Sequence, residues 1–87
     1  MSDEPLKFYC DEARHLICLP YSKKNLIKMA RILSLSAGWY HGGRHPHYDI
    51  PKTRIDEIKS KCVATLSSRE ILQLITAGIV RSKDASA

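Results

Sequence analysis

Apolar residues recur along the chain in two patterns, one typical of strands and one typical of helices. The segments LKFYC (residues 6–10) and HLICL (15–19) are short apolar runs, and each predicts a strand. They form either a hairpin or one strand broken by a bend. A third strand is predicted for VATL (63–66), which is short and contains β-branched residues.

Three helices are predicted from helical spacing and from end signals. In the first, residues 23–35, Ser22 suits the N-cap, and one face is apolar: Leu26, Met29, Ala30 and Leu33. The second begins at Pro51 and runs to about Cys62, with its inward side chains at Ile55, Ile58 and Cys62. The third begins with a capping box, Ser67 and Glu70, and Gly78 is its expected C-cap.

Strands alternating with helices predict a small α/β or α+β domain, with about three strands covered by three helices. A chain of 87 residues has room for one hydrophobic core only. We therefore expect a single domain over residues 6–80. The small, polar ends, 1–5 and 81–87, are predicted to be disordered.

Composition narrows the class of protein and its partners. With 14 Lys and Arg against 9 Asp and Glu, the net charge is +5, which attracts phosphates, nucleic acid or acidic protein surfaces. The cysteines, Cys10, Cys18 and Cys62, are odd in number and match no CxxC pattern, so reduced thiols are expected. We find neither a signal-peptide pattern nor an apolar run of about 18 to 20 residues. These features predict a cytoplasmic protein with no membrane partner, and they leave the oligomeric state open.

The segment GWYHGGRHPHYDI (38–50) concentrates the chemically useful side chains. Within it His45, His47 and Asp49 spell H-x-H-x-D, and alternate residues of an extended segment point to the same side. Imidazole and carboxylate ligands suit zinc or another transition metal. Because motifs in short loops often match by chance, our first expectation is that no metal is bound. Under the alternative hypothesis of a metal site, these three residues are the candidate ligands.

The same segment also fits recognition of phosphate or nucleic acid. Gly42 and Gly43 allow a close approach of the backbone, and the guanidinium of Arg44 matches phosphate oxygens. Tyr40 and Tyr48 offer rings on which bases stack, whereas Trp39 is expected to close the small core. The preceding helix extends the positive surface through cations spaced at i, i+4 and i+7: Lys24, Lys28 and Arg31.

Catalysis is a further possibility for the acidic and histidine residues. His47 with Asp49 would form a base and its orienting carboxylate, and Asp11 would add an acidic group that helps to hold a divalent ion. Each acid has a simpler alternative. Asp11 and Glu12 suit a turn after the first strand, and Asp49 suits the cap of the second helix.

Three short motifs give the chain a resemblance to a known family. CDEARHLI (10–17), PHYDIP (46–51) and SSREILQLITAG (67–78), in this order, resemble a family of small uncharacterised bacterial and phage domains, a domain of unknown function. The resemblance spans roughly Tyr9 to Gly78. Its positions are Asp11, Glu12, Arg14, His15, Leu16, His47, Tyr48, Asp49, Ser68, Arg69, Glu70 and Ile71. It implies one pocket that groups Asp11, Arg14 and His15 with the His-Tyr-Asp tripeptide, and it implies no particular activity.

The leading hypothesis is a small basic phage or bacterial accessory protein that binds a phosphate-bearing ligand, nucleic acid or nucleotide, without a cofactor. Its expected ligand-binding residues are Arg14, His15, Arg44, His47, Tyr48, Lys24, Lys28 and Arg31. The alternative is a small phosphoesterase or nuclease that uses a divalent metal with Asp11, His47 and Asp49. A third hypothesis is a phage accessory factor that binds a host protein. Whether the chain is an enzyme stays open at this level.

Overall fold

The computed structural model describes residues 5–86, with side chains up to residue 79, as a five-stranded mixed sheet with three α-helices. The strands are β1 Lys7–Asp11, β2 His15–Leu19, β3 Tyr40–His41, β4 His47–Asp49 and β5 Ala64–Leu66. The helices are α1 Lys23–Leu33, α2 Ile55–Lys61 and α3 Ser68–Ser86. The expected α+β class is confirmed. The expected number of about three strands is too low, because the sheet has five. The disorder predicted for residues 1–5 and 81–87 stays a prediction: residues 1–4 and 87 lie outside this description, and helix α3 is described through Ser86.

The strand order across the sheet is β3-β4-β2-β1-β5. Strands β1 and β2 are antiparallel neighbours joined by a tight turn, so the first two predicted strands form a hairpin. Strand β5 pairs with β1 in parallel, and β4 pairs antiparallel with both β2 and β3. The two added strands, β3 and β4, both come from segment 38–50. The chemically rich segment is thus part of the sheet.

One face of the sheet carries the main hydrophobic core. Cross-strand pairing places five buried side chains on this face: Phe8, Cys10, Leu16, Cys18 and Tyr48. Helix α1 packs on β2 and β4, and all four of its predicted apolar residues are buried. Burial and, to a smaller extent, the neighbouring Cys10 raise the pKa of Cys62, which directly follows α2, to about 12. We infer that α1 and α2 cover this face.

The opposite face carries Asp11, His15, His47 and Asp49, and α3 lies across part of it. Helix α3 packs on β1 and β2, and its Ser68 hydroxyl bonds to Asp11. The next apolar side chains of α3, Ile71 and Ile75, are buried. The candidate functional residues therefore lie between the sheet and α3 or at the edge of that layer.

Two of the predicted helix starts are confirmed. The Ser22 hydroxyl accepts a hydrogen bond from the Asn25 backbone N–H at 3.0 Å. At α3, the Ser67 hydroxyl accepts from Glu70 N–H while the Glu70 carboxylate accepts from Ser67 N–H, both at 3.1 Å. After Pro51, a 3₁₀ turn (Lys52–Arg54) precedes α2. Among the described residues, no helix combines the length and the apolar composition needed to cross a bilayer.

The predicted C-cap role of Gly78 is wrong, because α3 continues past this residue to Ser86. A Cβ at Gly78 would lie 2.6 Å from Cδ2 of Tyr21. The glycine therefore allows the helix to pass close to an aromatic ring, which is the other common reason for glycine in a helix.

Candidate metal centre

Strand pairing brings His15, His47 and Asp49 together on the α3 side of the sheet. His15 of β2 lies directly opposite Asp49 of β4. His47 precedes Asp49 by two residues in β4, so both side chains project from the same face. One ligand atom from each of the three residues lies within 4.8 Å of the other two. Imidazole nitrogens and a carboxylate oxygen are all ligands for transition metals.

His15 is oriented by the buried carboxylate of Asp11. The Asp11 side chain is 0% exposed, and its Oδ2 lies 2.7 Å from Nδ1 of His15. Its Oδ1 accepts the His15 backbone N–H at 2.9 Å, and the Ser68 hydroxyl donates to Oδ2 at 2.9 Å. Three donors therefore hold this carboxylate beneath the ring.

The protonation of Asp11 decides which nitrogen of His15 is free. Burial raises the pKa of Asp11, but hydrogen bonds from the His15 backbone, the His15 ring and Ser68 outweigh burial and leave the pKa below its ordinary value. An ionised carboxylate can only accept hydrogen bonds, so Nδ1 of His15 must carry the proton. Nε2 is then the free nitrogen of the ring.

His47 is held in the same tautomer by the main chain. Its Nδ1 lies 2.8 Å from the carbonyl oxygen of His45, and a carbonyl can only accept. Its Nε2 lies 3.3 Å from Oδ1 of Asp49. The ring meets His15 edge to face, with centroids 4.8 Å apart. It also stacks on His41 at 5.4 Å.

Asp49 is oriented by His41, whose Nε2 lies 2.6 Å from Oδ2. The pairing of β3 with β4 sets His41 opposite His47, which brings its ring to this carboxylate. The alternative role of Asp49 as a helix cap is corrected, because the N-cap of α2 is Arg54. Each of the three candidate ligands thus has a polar partner of its own.

A cavity of about 280 Å³ adjoins the cluster. Its polar wall is formed by three histidines and one serine: His15, His45, His47 and Ser68. Its apolar wall comes from α3 and consists of Ile71, Leu72 and Ile75. A small molecule that enters the cavity therefore meets the imidazoles on one side and hydrocarbon on the other.

The loop that leads into His47 is anchored from the end of β2. The Tyr21 hydroxyl donates to the carbonyl oxygen of Pro46 at 2.6 Å. Burial raises the pKa of Tyr21 to about 12, with smaller effects of Tyr40 and Cys18, so the donor keeps its proton at neutral pH. Gly43 turns the loop with a φ of 73°.

Other residues predicted for the site lie elsewhere. Tyr48 is only 5% exposed and points into the core on the opposite face of the sheet, which corrects its expected surface role. Arg14 adopts a φ of 70° in the β1–β2 turn, and its Nη1 lies 3.5 Å from the Ile50 carbonyl oxygen. Arg44 is exposed, and Trp39 is half-buried against the core.

Three basic side chains expected to extend the site are exposed on α1: Lys24, Lys28 and Arg31. None of the three belongs to the metal cluster or lines the cavity beside it. Glu12, in the hairpin turn, lies 3.5 Å from the amine of Lys59. Of the H-x-H-x-D set, His47 and Asp49 belong to the cluster, whereas His45 contributes its carbonyl oxygen and one side of the cavity.

Sequence reasoning missed His15 as a candidate metal ligand and His41 as the partner of Asp49. The usable signal was strand alternation combined with the register of β2, β3 and β4, which places these residues on one face. Of the residues that the resemblance groups in one pocket, Asp11, His15, His47 and Asp49 lie together, whereas Tyr48 lies on the opposite face; the resemblance itself stays a prediction. Comparison of the chain with protein-family models, curated proteins and solved structures finds no match.

Proposed function

We propose that the protein is a small hydrolase that depends on a divalent metal ion, zinc above others, held by His15, His47 and Asp49. The observation that carries the proposal is the cluster itself. Its ligand atoms lie within 4.8 Å of one another, and each of the three side chains has a further polar partner that orients it. Histidines that bind metals almost always donate their other ring N–H to a carboxylate or a backbone carbonyl. His15 has the first kind of partner and His47 has the second.

The contact between His47 and Asp49 supports a cation between them. In neutral His47 the ring proton is on Nδ1, so Nε2 directs a lone pair at a carboxylate oxygen 3.3 Å away. Two lone pairs at this distance require a second proton or a shared metal ion. Ligand atoms bonded to one tetrahedral zinc at about 2.0 to 2.1 Å are about 3.3 Å apart. The spacing of this one pair matches that of two ligands on one ion, whereas the three ligand atoms together lie within 4.8 Å.

The number of ligands supports catalysis over a purely structural metal. Structural zinc sites have four protein ligands, whereas catalytic sites have three and leave a position for water. Here three candidate ligands lie beside a cavity. A water bound to zinc loses a proton near pH 7, which supplies a nucleophile for hydrolysis.

The proposal is tested on the full chain after removal of metal with a chelator. Calorimetric titration with Zn²⁺ should show one ion per chain, whereas Mg²⁺ and Ca²⁺, which prefer sites rich in oxygen ligands, should bind far more weakly. Hydrolysis of activated esters and phosphodiesters should disappear with the metal and return with one equivalent. Stoichiometric zinc binding without any hydrolysis would show that the protein binds metal but is not a hydrolase. The absence of zinc binding would contradict the whole proposal.

A second proposal concerns the exposed basic face of α1. Lys24, Lys28 and Arg31 recur at i, i+4 and i+7, and they lie on the layer opposite the cavity. We propose that this face contacts the phosphates of single-stranded nucleic acid. The net charge of +5 supports it, because a positive surface attracts phosphates.

Binding of a mixed-sequence oligonucleotide should weaken steeply as salt is raised. Three phosphate contacts predict a slope of log K against log salt of about −2. Lys24→Glu with Lys28→Glu should flatten the slope and weaken binding in fluorescence anisotropy. The same charge change at Lys7 and Lys52, which are exposed outside α1, serves as the control. Equal losses in both double variants would mean that only net charge matters.

A further inference from the structure

We infer that the substrate of this centre is an uncharged carboxylic ester or amide that places an apolar acyl group against α3. The inference rests on the proposed hydrolase function and names the substrate class of the same site. Two features of the cavity support it: the balance of charge around the metal cluster and the hydrocarbon of its far wall.

Charge at the cluster favours a neutral substrate. The two positive charges of a divalent metal would be balanced by the carboxylates of Asp49, one of the ligands, and Asp11, directly behind His15. Within the described part of the chain, neither lysine nor arginine lines the cavity. A phosphate monoester would bring two further negative charges to a metal whose charge these two carboxylates already balance, with no lysine or arginine beside it. The carbonyl oxygen of an ester or amide is uncharged, and a metal ion would need only to polarise it.

The apolar wall indicates what the substrate carries beside its scissile bond. Ile71 and Ile75 are buried, whereas Leu72, between them in sequence, is 45% exposed while lining the cavity. Leu72 therefore presents hydrocarbon to whatever enters the cavity. A cavity of about 280 Å³ has room for a short acyl chain.

The reaction is the addition of water across the acyl bond. The oxygen of the water forms a bond to the carbonyl carbon, and the bond from that carbon to the alcohol oxygen or amide nitrogen breaks. One proton of the water ends on the leaving oxygen or nitrogen. The products are a carboxylic acid and an alcohol or amine, and no oxidant or other reactant is needed.

The test uses the zinc-loaded full chain with p-nitrophenyl acetate, butyrate and hexanoate, and with bis(p-nitrophenyl) phosphate. We expect kcat/KM to rise about fourfold for each added methylene, the equivalent of about 0.8 kcal/mol per buried group. The phosphodiester should be cleaved more slowly than any ester. Affinity for the matching alkyl hydroxamates, which bind metal without being hydrolysed, should rise with chain length in the same way.

Leu72→Asn provides the specific variant and Ile27→Asn its control. Leu72 lines the cavity, whereas Ile27, 43% exposed on α1, does not. Leu72→Asn should flatten the dependence of hydroxamate affinity on chain length, and Ile27→Asn should leave it as in the wild type. Both side chains are exposed, so circular dichroism should show a retained fold.

The outcomes separate this inference from the proposed function. Zinc binding with no chain-length dependence, or with faster cleavage of the phosphodiester, would overturn the ester and amide assignment alone. Equal effects of Leu72→Asn and Ile27→Asn would also overturn it, because the apolar wall would then have no specific role. Failure to bind zinc would instead remove the hydrolase on which the inference rests.

Discussion

We expect His15→Ala to abolish stoichiometric zinc binding, as measured by calorimetric titration. Loss of a residue that only supports a ligand typically lowers metal affinity 10- to 100-fold, and His15 would itself be one of three ligands. We therefore expect a loss of more than about 100-fold. Asp49→Ala should give a loss of the same order. The Asp49 side chain is 41% exposed, so this second variant puts the fold at less risk.

The control for this prediction is His45→Ala. The pattern His45, His47 and Asp49 in the sequence predicts that His45 is a ligand, whereas the structure places its ring outside the cluster. Its carbonyl oxygen, which holds His47, survives the substitution. Zinc affinity should therefore change little. Loss of zinc in His45→Ala with retention in His15→Ala would show that the linear motif, and not the observed cluster, holds the metal.

The difference between these two histidines shows how far the sequence could predict the site. His47 and Asp49 were identified because alternation within one strand is visible in the sequence. His15 joins them only through the register of β2 with β4, a contact between residues more than thirty positions apart. Strands of two and three residues, such as β3 and β4, are too short to show a period of their own.

The fold was predictable where signals are local. The capping box of α3 and the N-cap of α1 depend on residues three positions apart, and both are confirmed. Tyr48 and Gly78 depend on distant neighbours instead. Tyr48 is buried because β4 places it on the core face, and Gly78 is needed because Tyr21 lies against α3.

Asp11→Asn should weaken zinc binding 10- to 100-fold without changing any ligand atom. The buried carboxylate fixes the His15 ring and its tautomer through a 2.7 Å hydrogen bond. An asparagine amide is neutral, and it has one acceptor oxygen where the carboxylate has two that receive three donors. Asp56→Asn, which removes an exposed carboxylate in α2, should leave the affinity unchanged. Equal affinity in both variants would mean that Asp11 does not orient the ligand.

The same substitution should lower the stability of the metal-free protein in a pH-dependent way. Loss of hydrogen bonds to a buried charge typically costs about 1.5 to 3 kcal/mol of unfolding free energy. The pKa of Asp11 in the folded chain lies below its ordinary value of 3.8, although burial, the largest single effect, raises it. The stabilisation by the carboxylate is therefore complete above pH 3.8 and is lost as the pH falls through the lower folded pKa. Urea unfolding should show the full difference between wild type and Asp11→Asn at pH 7 and a smaller difference at the lowest pH at which both fold. A difference that grew on acidification would mean that Asp11 is stabilised in its protonated form, and His15 would then lack the acceptor that makes it a metal ligand.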